Sequence, residues 1–272
     1  MLISYSMPVV STAAITGGTW LTSDGGAALW DGKPSRRARL QWGAGSALGG
    51  YVEITLNFSA SSFLRVFALL GSTLPAGVRI VFGGAVEART GYQPDTTAGA
   101  WGVAAADGTP VASCTVRIYN DRNGAPWAAN GTIIDIGELW AGPAVEIGIR
   151  DGWDVQTIDP GEVARTRGGQ LNVTIQSGYR ALTANFAGLS VAAARGEGLA
   201  NGMDLERITA ALRGRARCAV IPHYRSLNTR ALDPQAIARS AIYGFASQLP
   251  NVANISRGYF TGQLVVEEIP AR

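Results

Sequence analysis

Residues 51–58 alternate without a break, with Val52, Ile54, Leu56 and Phe58 on one side and Tyr51, Glu53, Thr55 and Asn57 on the other. A period of two belongs to a strand with one buried and one wet face, and it commits this part of the chain to an antiparallel sheet. Apolar runs at 63–70 and 78–82 follow, joined by a 71–77 segment whose proline and glycines suit a reversal. Further strand candidates are 39–42, 114–119, 132–140 and 144–149. Long segments rich in glycine, alanine and threonine, 83–112 and 120–131, read as irregular and carry Trp101 and Trp127. Short strands with long end loops predict a β-sandwich of jelly-roll type over residues 1–149.

The pattern changes near residue 150. Strands are expected at 170–176 and 179–186, turned at Ser177-Gly178. The best helix lies over 204–213, where Leu205, Ile208, Ala211 and Leu212 make one stripe, Asp204 caps the start and Gly214 the end. A strand at 216–221, a weaker helix at 234–245 and a closing strand at 264–269 complete an antiparallel α+β domain over 150–272. The fold class is therefore mainly β, in two domains.

Composition narrows the functional classes. With 47% of 272 residues apolar the chain is not disordered. Arg65 and Glu146 interrupt the richest apolar runs, so no stretch reaches the roughly 18 residues of a spanning helix. The first 18 residues have no basic residue ahead of their apolar part, so no secretory signal is expected. Residues 1–149 hold nine basic and ten acidic residues, a net charge of −1, whereas 150–272 hold fourteen and ten, a net charge of +4. A surplus that dilute indicates neither an acidic protein surface nor nucleic acid as a partner.

Catalytic chemistry has few candidates. The only histidine, His223, follows a strand, and no G-x-S-x-G elbow accompanies it. Cys114 and Cys218 sit among apolar neighbours and read as free core thiols, and with one histidine they make no zinc spacing. Asp151, Asp154 and Asp159 lack the ligand spacing of a calcium loop and read as turn formers. Glu138 and Glu146 are placed on the wet side of strands. The glycine-rich segments 43–49 and 196–202 lack a phosphate-binding spacing. The expectation is no catalytic residue, no metal and no cofactor. Arg213, Arg215 and Arg217 alternate as one strand face would. With Arg207 they are expected at a protein interface. Trp101 and Trp127 are the residues expected to stack on a glycan if the loops bind one.

The segments Leu29-Trp-Asp-Gly-Lys-Pro-Ser-Arg-Arg-Ala-Arg-Leu-Gln-Trp42, the alternating strand at 51–58 and Leu64-Arg-Val-Phe-Ala-Leu-Leu-Gly-Ser-Thr-Leu-Pro-Ala-Gly77 together resemble the discoidin-like jelly rolls of siphophage tail-tip proteins. Gly137-Glu-Leu-Trp-Ala-Gly142 and Arg167-Gly-Gly-Gln-Leu171 resemble the junction into their second domain, and Cys218-Ala-Val-Ile-Pro222, Ala241-Ile-Tyr-Gly244 and 263–269 its ending. The resemblance implies a distal-tail or upper-baseplate protein: a virion component assembled in the host cytoplasm, whose tube-like second domain forms a homo-oligomeric, sixfold ring continuing the tail tube. Its jelly roll then docks the baseplate hub and tail fibres. Many such proteins carry the tube-like domain first, an order this chain reverses, with residues 1–15 left open to return to the second sheet. The competing reading is a carbohydrate-binding module for a host surface glycan. A hydrolase survives only through unassigned carboxylates.

Overall fold

The computed structural model describes residues 1–92, 98–106, 108–149, 152–165, 171–174, 177–226, 228–250, 252–256 and 258–270. The chain is mainly β, and every described sheet is antiparallel. Sheets and helices stack in four layers.

The first layer is a five-stranded sheet in the order Val10–Thr16, Tyr51–Ser62, Val111–Arg122, Val78–Phe82, Val86–Arg89. Its inner face carries Val52, Ile54 and Leu56 opposite Ile118, Val116 and Cys114, as the alternation at 51–58 requires. In the second layer Ala38–Trp42 lies between Gly18–Trp20 and Ile133–Ile136. The chain bends at Gly137, and Glu138–Gly142 then pairs with Val66–Ser72, which pairs with Ala98–Val103. Only glycine fits the bend, because a Cβ at position 137 would stand 2.1 Å from the carbonyl oxygen of Pro34.

The second layer is covered on both sides. Phe67 and Leu69 face the first sheet, while Val66, Ala68, Leu70, Trp101 and Trp140 face the third. Every residue of Val66–Ser72 is buried, which is why its sequence reads as an unbroken apolar run and not as an alternation.

The third layer is an eight-stranded sheet whose path runs Val145–Glu146, Leu2–Ser4, Arg217–Ile221, Ile242–Gln248, Tyr259–Glu268, Tyr179–Leu189, Trp153–Ile158, with Ala253–Ser256 paired to Tyr259–Glu268. Leu2–Ser4 and Val145–Glu146 thus join the sheet formed otherwise by residues beyond 150. Leu2, Ala219, Ile221 and Tyr243 pack on the second layer; Ile3, Cys218, Val220 and Ile242 point the other way. There they meet the fourth layer, the helices Val191–Arg195 and Leu205–Ala211, through Ala194, Leu205, Ile208 and Leu212. Asp204 caps the longer helix by accepting from the Arg207 N–H at 2.8 Å.

Several sequence expectations change. The helix expected over 234–245 is Pro234–Ser240, capped by Asp233, and the chain then enters the strand Ile242–Gln248, so Ile242, Tyr243 and Ala246 are sheet residues. The hairpin at Ser177-Gly178 does not form. Leu171–Thr174 pairs with Glu162–Arg165, while Tyr179–Leu189 pairs with Trp153–Ile158 and Tyr259–Glu268. The segment 83–112 is not irregular throughout, because it holds Val86–Arg89, Gly91–Tyr92 and Ala98–Val103.

Candidate functional site

The eight-stranded sheet ends at Trp153–Ile158, which pairs on one side with Tyr179–Leu189 and has no strand on its other side among the described residues. Its main-chain donors and acceptors on that side form a template for another strand. Trp153 at its start is 41% exposed. Beyond Ile158 the chain turns at Asp159, which accepts from the Gly161 N–H at 2.9 Å, and the two strands continue as the ribbon Glu162–Arg165 with Leu171–Thr174. The ribbon extends the same antiparallel pair past the sheet, since Ile158↔Tyr179 leads on to Glu162↔Thr174. None of its described side chains enters a hydrophobic core, and Leu171 is 59% exposed. Its described side chains, Ala164, Arg165, Leu171 and Thr174, are all exposed.

The arginines expected at an interface are dispersed. Arg207 pairs with Glu197 and donates to the Gly202 carbonyl. Arg213, Arg215 and Arg217 do not share a strand face: the strand starts at Arg217, and Gly214 and Arg215 before it have left-handed φ of 70° and 61°. Arg213 is exposed; Arg215 lies over the Phe245 ring at 5.8 Å; Arg217 turns inward.

The tryptophans are tied down as well. Trp101 sits in a strand, is 6% exposed and packs between the second and third layers, so its ring offers no platform for a sugar. Trp127 is half-buried, set edge-on to Trp42 at 5.7 Å, and its indole N–H donates to the Tyr119 carbonyl at 2.9 Å. Both rings hold the layers together.

Glu138, expected on a wet strand face, is fully buried. Its Oε1 accepts from Arg217 Nη1 at 3.0 Å and its Oε2 from the Gly32 N–H at 3.0 Å. Arg217 Nη1 also lies 3.3 Å from the Tyr243 hydroxyl and from the Trp30 carbonyl. Burial pushes the Glu138 carboxyl up to about 8, against the opposite pull of Arg217, Tyr243 and Gly32. This polar group joins the second layer to the third across a sequence gap that no local pattern reveals. A second buried pair, Arg180 with Glu268 at 2.5 Å, closes the third sheet near Ala241, whose carbonyl accepts from Arg180 Nη2 at 2.9 Å.

Other candidates stay apart. The Ser240 hydroxyl bonds the main chain of His223 and not its ring, at 2.9 Å to the carbonyl. Cys114 and Cys218 are free and buried, and burial pushes both thiols up to about 12, away from reactivity. Glu146 lies half-exposed, 3.4 Å from Arg65. Asp154 is exposed and 3.0 Å from Gln156, and Asp151 lies outside the described residues. The glycine segments 43–49 and 196–202 are connections, the second holding a short 3-10 turn. Among the described residues no three His, Cys, Asp or Glu converge to hold a metal, and no helix is long and apolar enough to cross a membrane. No protein-family model, curated protein or solved structure matches the chain.

Proposed function

We propose that this chain is a non-enzymatic structural protein of a siphophage tail tip, of the distal-tail or upper-baseplate type, whose copies close into a ring continuing the tail tube. The reading rests on the open edge at Trp153–Ile158 and on the ribbon that continues it past the sheet. The opposite edge of the same sheet is the two-residue strand Val145–Glu146. Two unlike edges favour a head-to-tail contact, the kind that repeats around a closed ring. Six copies, as the family resemblance implies, place the third layer toward the tube. The first two layers, read as a discoidin-type jelly roll, then face outward to the hub and fibres.

Electron microscopy and light scattering of the purified protein test the reading. Rings are expected from the native chain. Gln156→Lys together with Thr157→Lys, both exposed on the edge strand, should leave monomers of unchanged fold, because edge lysines oppose strand addition. A native chain that stays monomeric at every concentration, and is missing from purified tail tips, overturns the proposal.

A further inference from the structure

Three asparagines are followed directly by glycine: Asn123, Asn130 and Asn201. An asparagine so placed can be attacked by its own main chain. The amide nitrogen of the glycine loses its proton to base and adds to the side-chain carbon Cγ. The Cγ–Nδ2 bond breaks, and the amide group leaves as ammonia. Water then opens the resulting five-membered imide at either carbonyl, giving aspartate or an isoaspartate whose main chain runs through the former side chain. Glycine favours the attack because no side chain shields its nitrogen. The asparagine side chain and the glycine N–H must both be free to move together, and each hydrogen bond that has to break first raises the barrier.

Asn130-Gly131 is held on both counts. Asn130 Oδ1 accepts from the Gly45 N–H at 2.8 Å, and the Gly131 N–H donates to the Trp42 carbonyl at 2.9 Å. Asn123-Gly124 is held at its nucleophile. The pair is the tip of a two-residue hairpin closed by Arg122 and Ala125, with left-handed φ of 53° and 88°. The Gly124 N–H donates to Asp121 Oδ1 at 2.8 Å, and the Asn123 side chain lies against Gly77, where a Cβ would stand 2.5 Å from Nδ2.

Asn201-Gly202 lacks these restraints. Both residues are exposed, and no hydrogen bond reaches the Asn201 side chain among the described residues. The pair sits in the 3-10 turn Ala200–Gly202, where Asn201 departs from helical geometry with φ 60° and ψ 33°. The turn is closed by the Met203 N–H on the Ala200 carbonyl at 3.3 Å, and a single turn of this kind opens easily. Nothing packs over the glycine: the nearest group to the place of its Cβ is a Glu197 oxygen at 3.9 Å. Arg207 Nη1 donates to the Gly202 carbonyl at 2.6 Å, but that oxygen belongs to the following peptide and not to the attacking nitrogen.

We infer that Asn201 is a site of spontaneous covalent modification, converting through the imide to aspartate and isoaspartate, while the fold protects Asn123 and Asn130. The change lands between the two helices that cover the third sheet, Val191–Arg195 and Leu205–Ala211. There it adds a carboxylate next to Gly202, whose neighbours Glu197 and Arg207 are ion-paired. Ring formation plays no part in this chemistry.

Full-length protein is held at pH 8.5 and sampled over weeks. Peptide mapping by mass spectrometry follows the three asparagines, and enzymatic methylation of isoaspartate marks the rearranged product. Asn201 should convert at least roughly fivefold faster than Asn123 or Asn130, the factor for one hydrogen bond of ordinary strength. In urea that unfolds the chain the three rates should draw together, since each asparagine then has the same neighbour. Asp121→Ala frees the Gly124 N–H and should speed Asn123 by about fivefold, with the fold checked by circular dichroism.

Conversion of Asn123 or Asn130 in the native protein as fast as that of Asn201 overturns the inference. So does an Asn201 that stays intact in the native protein while the unfolded chain reacts. The same spread of rates in urea as in the fold also overturns it, because local sequence would then set the order, and so does an unchanged Asn123 rate in folded Asp121→Ala protein.

Discussion

Replacing Glu138 with glutamine tests what the buried polar group between the second and third layers does. The carboxyl is 0% exposed, and the groups facing it are Arg217, Tyr243, Asp31 and the Gly32 N–H. Its affinity for a proton rises from the ordinary 4.5 to about 8, chiefly through burial. A carboxyl raised in this way is protonated in the folded chain and ionised in the unfolded chain between those two pH values. Folding there takes up a proton. The stability linked to Glu138 is therefore fully present below about 4.5, falls as pH rises, and is lost above about 8. At about 1.4 kcal/mol per tenfold change in proton affinity, the ceiling is roughly 5 kcal/mol. For a chain of 272 residues that corresponds to roughly 10 °C in melting temperature.

Glutamine shares the neutrality of the protonated form, although its one carbonyl oxygen replaces only one of the two oxygens that accept from Arg217 and from the Gly32 N–H. Relative to the native protein, Glu138→Gln should thus gain melting temperature between pH 5 and pH 9, by up to roughly 10 °C. Paired thermal melts from pH 5 to pH 9 measure the difference, in which titrations common to both proteins cancel. A Glu138→Gln protein whose difference from the native chain does not change between pH 5 and pH 9 refutes the reasoning. That result would mean that Glu138 is ionised in the fold and held by Arg217, a contact whose loss costs about 3–5 kcal/mol when one partner of a buried pair is removed.

Neither Cys114 nor Cys218 should react with a thiol reagent at pH 8 in the native protein, and both should react after denaturation; fast native labelling of either would contradict their burial. Gly137→Ala should destabilise the fold by on the order of 3 kcal/mol, read as a shifted denaturant midpoint, because the new methyl meets the Pro34 carbonyl oxygen at 2.1 Å. Trp101→Ala should cost about 3–5 kcal/mol through the cavity it leaves between layers, and Trp127→Ala less, since that ring is only half-buried. Equal and small losses from both would place the Trp101 ring at the surface.

Much of the fold was legible where physics is local. The alternation at 51–58 gives the inward residues of Tyr51–Ser62, and the cap and stripe of 204–213 give the helix Leu205–Ala211. Failures came where a partner is distant. Ser177-Gly178 looks like a turn, yet the strands on its two sides pair elsewhere, Leu171–Thr174 with Glu162–Arg165 and Tyr179–Leu189 with Trp153–Ile158. The Gly- and Ala-rich stretch around Trp101 has no strand pattern of its own and becomes one because Val66–Ser72 lies beside it. Arg213, Arg215 and Arg217 alternate in sequence, but left-handed backbone at Gly214 and Arg215 breaks the register. The candidate edge at Trp153–Ile158 was invisible for the same reason, since being at an edge is a property of the whole sheet order.

The sequence by itself determined that this chain is mainly β, which residues of its amphipathic strands and of its best helix turn inward, and that its two thiols are core residues. Those follow from periods of two and 3.6 and from apolar neighbours, forces acting within a few residues. Only the tertiary structure decided that the second sheet is covered on both faces, that Glu138 is buried against Arg217, and that Trp42 and Gly45 hold the Asn130-Gly131 pair. Each of these joins residues far apart in the chain, and such a meeting is set by how the layers stack and not by any local preference.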